Sequence, residues 1–327
     1  MTMRTPSISR QRGFTMMELM IASAIALMIL AGVSGLFVAG AKSERTNATA
    51  NELTINGRYA MEVLRREVMA ANFRGLSWAD PSAPSTSFSV SGDCGTDFAI
   101  NLHQGLWAAN DSNPFSATCI AAANYSQGDV LVARSVNPVQ ANSYLTAGTL
   151  SANTLYLRSA YEKSEIFKGS TPPSGSSAYS PLREPWLDYP LQLSVFHVRP
   201  YTGSATESPL VPSLWRITLG SGPALSSELV ASNVEDFQIQ VSRLTTDLNT
   251  QFYNPDSVSA TATSITAGYT EWDDVISVRV WLLMRATNTE NGYVNGTTYT
   301  LGDKTRGPFN DGYRRELFST VIQMRNF

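Results

Sequence analysis

Between Leu19 and Ala41 no residue carries a charge. A helix rising ~1.5 Å per residue over that run would span roughly 34 Å, enough to cross the core of a bilayer. No proline occurs from Phe14 to Asp80, so nothing stops the helix from continuing well past the apolar part. Arg4, Arg10 and Arg12 precede the run without an acid beside them, which favours an N-terminus kept in the cytoplasm. Gly32, Gly35 and Gly40 are its weak points, each costing ~1 kcal/mol relative to alanine and offering a place to bend. A secretory signal cut after Ala39-Gly40-Ala41 is one fate for such a segment, but its apolar run is about twice the usual 7–15 residues. An uncleaved anchor is another.

Glu18 stands at the mouth of this run, in Gly13-Phe14-Thr15-Met16-Met17-Glu18. A carboxylate in hydrocarbon costs on the order of 2.5–3.5 kcal/mol. It is either interfacial or matched by a buried cation, and an ionisable residue at such a place marks function.

The block resembles the class III signal of type IV prepilins: a short basic leader, a Gly, then Phe, a Glu four residues later and an apolar helix. The resemblance implies cleavage between Gly13 and Phe14 by a prepilin peptidase and N-methylation of Phe14. It makes Glu18 the assembly residue that meets the Phe14 amine of a neighbouring subunit. A cation there would relieve the burial cost of the carboxylate. Met16 and Met17 replace the more usual Leu, Ile or Val, an acceptable apolar exchange.

After Lys42 the pattern turns amphipathic. Leu53, Ala60, Leu64, Val68 and Ala71 recur at helical spacing, and Glu62 and Arg66 form a favourable i, i+4 pair. One helix is expected from Phe14 to about Asn72, its second half lying on a globular core. The stretch from Asn56 to Glu67, beginning Asn-Gly-Arg-Tyr-Ala, resembles the PilW family of type IV minor pilins, as does the helix end Ala71-Asn72-Phe73-Arg74-Gly75. Leu76 stands where many members carry a cysteine, so the family's disulfide pattern does not transfer directly.

Beyond Gly75 the signals are β. Short strands are expected at 127–134, 154–158, 191–198, 214–219, 234–241, 275–284 and around Phe318–Met324. Phe237, Ile239 and Val241 fall on one face with Gln238 and Gln240 opposite. Ile276, Val278, Val280, Leu282 and Met284 likewise oppose Arg279 and Trp281. Residues 170–190, rich in proline, read as a long surface loop, and 77–125 as irregular. Strands without intervening helices argue an antiparallel sheet. The fold class is α+β and pilin-like: a leader at 1–13, a helix at 14–73 with its membrane part at about 19–41, and a periplasmic β-rich domain at 74–327. The blocks Gln127–Arg134, Val234–Gln240, Val278–Arg285 and Arg314–Asn326 resemble PilW strand motifs.

Cys94 and Cys119 are the only cysteines; in an exported chain such a pair suggests a disulfide. His103 and His197 lack metal-site context, and no nucleophile elbow, phosphate loop or dinucleotide fingerprint occurs. Asp247, Asn249 and Asp256 lie in a polar loop without EF-hand spacing. Trp107, Trp186, Trp215, Trp272 and Trp281 read as core or strand-face residues rather than a sugar platform. No catalytic residue, metal or cofactor is expected, and a net charge of −3 offers no basic field for nucleic acid.

The resemblance implies a structural minor pilin rather than an enzyme. It would wait in the inner membrane with its globular part in the periplasm. It would then join other minor pilins and the major pilin through the assembly platform, in a tip complex serving pilus biogenesis, twitching motility and adhesion, with a large tip adhesin. A J-type pseudopilin of type II secretion shares the same logic and is the alternative. A membrane-tethered hydrolase has no motif behind it.

Overall fold

The computed structural model describes residues 13–78, 81–82, 87–145, 148–173, 185–244, 251–258 and 270–326. The chain divides into two compact units, Met1–Asn51 and Glu52–Phe327. Helix α1, Met16–Ala70, belongs partly to each. It runs unbroken through Gly32, Gly35 and Gly40, around which there is open space.

In the first unit every residue from Gly13 to Gly40 is exposed. The hydroxyls in the apolar run are satisfied within the helix: Ser23 Oγ donates to the Met20 carbonyl at 2.9 Å and Ser34 Oγ to that of Leu30 at 2.8 Å. A segment solvated by hydrocarbon must look like this, with apolar side chains outward and no orphaned polar group.

In the second unit the helix turns one stripe inward. Leu53, Gly57, Ala60, Leu64 and Val68 are buried, as is Ala71 just beyond the helix end, matching the 3.6-residue period. Glu62 pairs with Arg65 at 3.7 Å rather than with Arg66, which instead approaches Glu67 at 3.3 Å.

Among the described residues fourteen strands follow: β1 Leu106–Ala109, β2 Val130–Val136, β3 Asn142–Ser143, β4 Leu155–Ser159, β5 Ser164–Lys168, β6 Leu187–Arg199, β7 Ser213–Gly220, β8 Ala224–Ser232, β9 Val234–Arg243, β10 Phe252–Tyr253, β11 Val275–Arg285, β12 Tyr299–Leu301, β13 Lys304–Arg306 and β14 Arg315–Gln323. Their pairings are all antiparallel. The first sheet is organised by β6, flanked by β3 and β4 at its start and by β2 and β7 further on. The second runs β10-β9-β11-β14, and β12–β13 form a hairpin. The α+β arrangement read from the sequence is the one found: a long helix on antiparallel sheets.

One core joins the buried helix stripe to Leu131, Phe196 and Leu214 of the first sheet and to Phe237, Ile239, Val278, Val280, Leu282 and Ile322 of the second. The opposite face of the first sheet is covered too. Phe98, Phe115 and Ile120, fully buried, pack there on Val130, Val132, Leu193 and Val195. The stretch expected to be irregular is therefore, in its described part, a packed layer that contains β1. It carries the Cys94–Cys119 disulfide, whose loop is worth roughly 3–4 kcal/mol. Reduction of the detergent-solubilised full chain should lower its urea midpoint accordingly, with loss of the near-UV signal of this layer first. Identical midpoints with and without reductant would mean that the layer holds itself.

A further sequence expectation is corrected. The loop at 170–190 does not extend to Pro190, which lies inside β6; residues 174–184 fall outside the described ones. Pro190 opposes Tyr156 of β4, and its carbonyl accepts the Asn137 N–H at 2.8 Å where the flanking partner changes from β3 to β2. A residue with no N–H to donate is tolerated at such a switch. Gln238, on the face opposite Phe237 and Ile239 as expected, is buried as well, because the outer side of β9 is covered. Arg306 of the hairpin reaches Asp236 at 2.5 Å, and Gly302 at its turn lies against Trp281 and Gln240.

Candidate functional site

The helix start is built by a local exchange of hydrogen bonds. Thr15 N and Oγ1 donate to Glu18 Oε2 at 2.9 and 3.0 Å, and Glu18 N donates to Thr15 Oγ1 at 3.3 Å. This is a capping box, in which the N-cap hydroxyl and the carboxylate three residues on satisfy each other's free backbone donors. Gly13 and Phe14 precede it in non-helical backbone, and Phe14 is 90% exposed. Thr15 had no role in the sequence reading, although the Thr-x-x-Glu spacing was there to be seen.

The Asn56–Glu67 block docks the helix within the second unit. Asn56 Nδ2 donates to Ser232 Oγ at 3.1 Å and Asn233 Oδ1 at 3.2 Å, at the corner where β8 passes into β9. Asn233 has φ 71°, a left-handed conformation asparagine tolerates. Gly57 lets Phe318 of β14 rest on the helix backbone; a Cβ there would lie 2.5 Å from the ring. Glu67 takes Arg216 Nη1 at 2.9 Å and Ser194 Oγ at 3.0 Å. Arg58 and Tyr59 are exposed.

The strand blocks singled out from sequence are joints between layers. Gln127 Nε2 donates to the Glu235 carbonyl at 2.8 Å and Asp129 N to that of Phe237 at 2.7 Å. The Asp129 carboxylate accepts Ile239 N at 2.7 Å and Asp111 N at 2.9 Å. Gly128, at φ +86°, passes so near Phe237 O that a Cβ would stand 2.5 Å from it. The first sheet is thus latched to β9. Burial pushes the Asp129 carboxyl up to about 8, and Asp111 and Asp303 push the same way. Arg134, fully buried, donates Nε to Phe98 O and Nη1 to Gln104 O, both at 2.9 Å, and lies 4.2 Å from the Phe98 ring. Burial lowers its pKa to about 9, with Asp93 opposing. Arg315, nearly buried, grips Glu235 at 2.5 Å and Asp311 at 2.7 Å and stacks 3.6 Å over Phe309. Those two carboxylates hold its pKa above the usual arginine range.

The remaining candidates are spoken for. His197 is fully buried and accepts Arg199 Nε at 3.1 Å; burial and Arg199 depress its pKa to about 3, so it stays neutral. His103 is half-buried in a turn. Trp186 and Trp215 lie under Arg158 and Arg199 at 3.9 and 4.0 Å, and Trp272 is buried. Asp247 and Asn249 lie outside the described residues; Asp256 is exposed in a 3-10 turn. Among the described residues no three His, Cys, Asp or Glu side chains converge as a metal centre.

The family model described as Prokaryotic N-terminal methylation motif matches residues 8–34. That described as Type IV Pilus-assembly protein W matches residues 195–326. The chain is thus similar to the PilW family over its C-terminal part and to prepilins at its N-terminus. No curated protein and no solved structure matches the chain. The PilW match takes in β6 from Val195 together with β7–β9, β11 and β14, hence Glu235, Arg315 and Phe318. The methylation motif takes in the capping box and the first turns of α1. A membrane-anchored structural pilin of the type IV pilus accounts for the matches at both ends of the chain and for its exposed apolar helix.

Proposed function

We propose that the chain is a minor pilin that helps to prime pilus assembly at the fibre tip. A prepilin peptidase removes the leader 1–13 between Gly13 and Phe14, and Phe14 is then N-methylated. The mature helix holds the subunit in the inner membrane, with the part from 74 to 327 in the periplasm. It enters the fibre with other minor pilins and the major pilin through the assembly platform, supporting twitching and adhesion beneath a large tip adhesin. It catalyses no reaction.

The observation that carries this reading is a carboxylate set one turn inside an exposed apolar helix. In the single subunit Thr15 satisfies Glu18. In a fibre the Phe14 amine of a neighbour would offer a full opposite charge in low dielectric, a stronger partner than two neutral donors. The capping box therefore keeps Glu18 solvated until the exchange.

The deciding measurement is the mature N-terminus, by mass spectrometry of the membrane fraction: a methylated Phe14 supports the reading, and a Lys42 start ends it. Glu18→Ala should leave processing intact. It should lower surface piliation and twitching by roughly tenfold or more, as expected when one partner of a desolvated charge pair is removed. Normal piliation in that variant would count against the role of Glu18.

A further inference from the structure

At the far end of α1 the second unit bears a groove of about 500 Å³, with Arg65, Arg66, Met69 and Phe73 on one side and Pro138 and Arg325 on the other. Its walls are tied together: Asn326 Nδ2 donates to the Met69 and Ala71 carbonyls, each at 3.4 Å. The groove is thus preformed, and its volume suits a short peptide segment rather than a water.

Glu62 also lines the groove, so its positive charge is compensated only in part. Arg325 makes no hydrogen bond, ion pair or ring contact with any described residue. Arg65 has only exposed Glu62, at 3.7 Å, a pair worth little in water. Arg66 leans at 3.3 Å on Glu67 Oε1, an oxygen already taken by Arg216 at 2.9 Å. Three guanidinium groups converge here in a chain whose net charge is −3. The helix dipole does not explain them, because its influence is confined to the last turn, which contains no basic residue. Between the arginines the floor is apolar, and Met69 supplies an adaptable surface.

We infer that this groove docks an acidic segment of a neighbouring subunit, with carboxylates gripped by Arg65, Arg66 and Arg325 and one apolar side chain laid on Met69 and Phe73. Guanidinium forks bind carboxylates bidentately, and a charged rim around an apolar floor supplies both orientation and affinity. The partner being a subunit rests on the pilin reading.

The test places the photo-crosslinker p-benzoylphenylalanine at Pro138, an exposed rim position, in the full chain within piliated cells. Mass spectrometry then identifies the linked peptide. A subunit segment with at least two Asp or Glu beside an apolar residue supports the inference, provided that Arg65→Glu with Arg325→Glu cuts the link by roughly tenfold or more. These exposed substitutions should leave thermal unfolding unchanged. A link to phospholipid, a link to a segment without acids, a link unaffected by the charge reversal, or no link in cells that assemble pili would each overturn it. A mature N-terminus other than Phe14 would instead defeat the pilin reading, so the two failures are distinguishable.

Discussion

Asp188→Ala should destabilise the globular unit by about 3–5 kcal/mol, the usual cost of leaving a buried charge without its partner. Asp188 opens β6 and is fully buried. Arg158 of β4 meets it with Nε and Nη2, both at 2.8 Å, and sends Nη1 to the Pro173 carbonyl at 2.8 Å. Asn142 of β3 donates to the same carboxylate at 2.9 Å. One side chain thus ties three strands, and its removal strands a guanidinium whose side chain is only 4% exposed. Asp188→Asn keeps the shape but loses the charge and should cost less. Arg158→Met with Asp188→Leu should recover most of the loss, since well-packed apolar pairs often replace buried ion pairs without penalty. Urea unfolding of the full chain in detergent, followed by near-UV circular dichroism, measures all three. An Asp188→Ala midpoint equal to that of the parent would show that water reaches the pair.

Gly57→Val should cost about 3 kcal/mol or more, at the upper end of overpacking penalties. The helix passes Phe318 so closely that a Cβ would lie 2.5 to 2.9 Å from three ring atoms. Gly57→Ala separates two effects of opposite sign. Alanine gains up to ~1 kcal/mol of helix propensity but forces the ring to move. If the clash dominates, the variant is less stable despite the better helix former. Phe318→Ala removes the obstacle, so Gly57→Ala in that background should be stabilising. The resulting coupling, on the order of 1–3 kcal/mol, is read from the same unfolding curves. Additive effects would mean that the helix and β14 can separate without strain.

These two sites show how differently their signals lie in the chain. The helix stripe from Leu53 to Ala71 was visible because burial follows a period along a continuous segment. So were β9 and β11, whose inward residues alternate over a whole strand. β8 was missed because Ala-Leu-Ser-Ser-Glu-Leu-Val-Ala-Ser has neither alternation nor a dominant apolar face; pairing with β7 makes it a strand. β5, at the sheet edge, was missed likewise. Pro190 argued for a loop and lies in β6, because the cost of its missing N–H depends on the neighbouring strand.

The leader, the apolar span and the Gly13, Phe14 and Glu18 spacing are local facts, set by charge and hydropathy along one short segment. They carry the resemblance to prepilins, which the methylation-motif match over residues 8–34 supports. What the Asn56–Glu67 and Gln127–Arg134 blocks hold together could not be read without their partners. Why Gly57 has no side chain depends on Phe318, and why position 129 carries a hydrogen-bond acceptor depends on the Ile239 and Asp111 N–H groups it receives. Tertiary structure likewise covered both faces of the first sheet, buried Gln238 and brought Arg325 beside Arg65. Local periodicity says which side of a segment is apolar. Which distant segment will cover that side follows only from how the whole chain excludes water, because the hydrophobic effect rewards burial without specifying a partner.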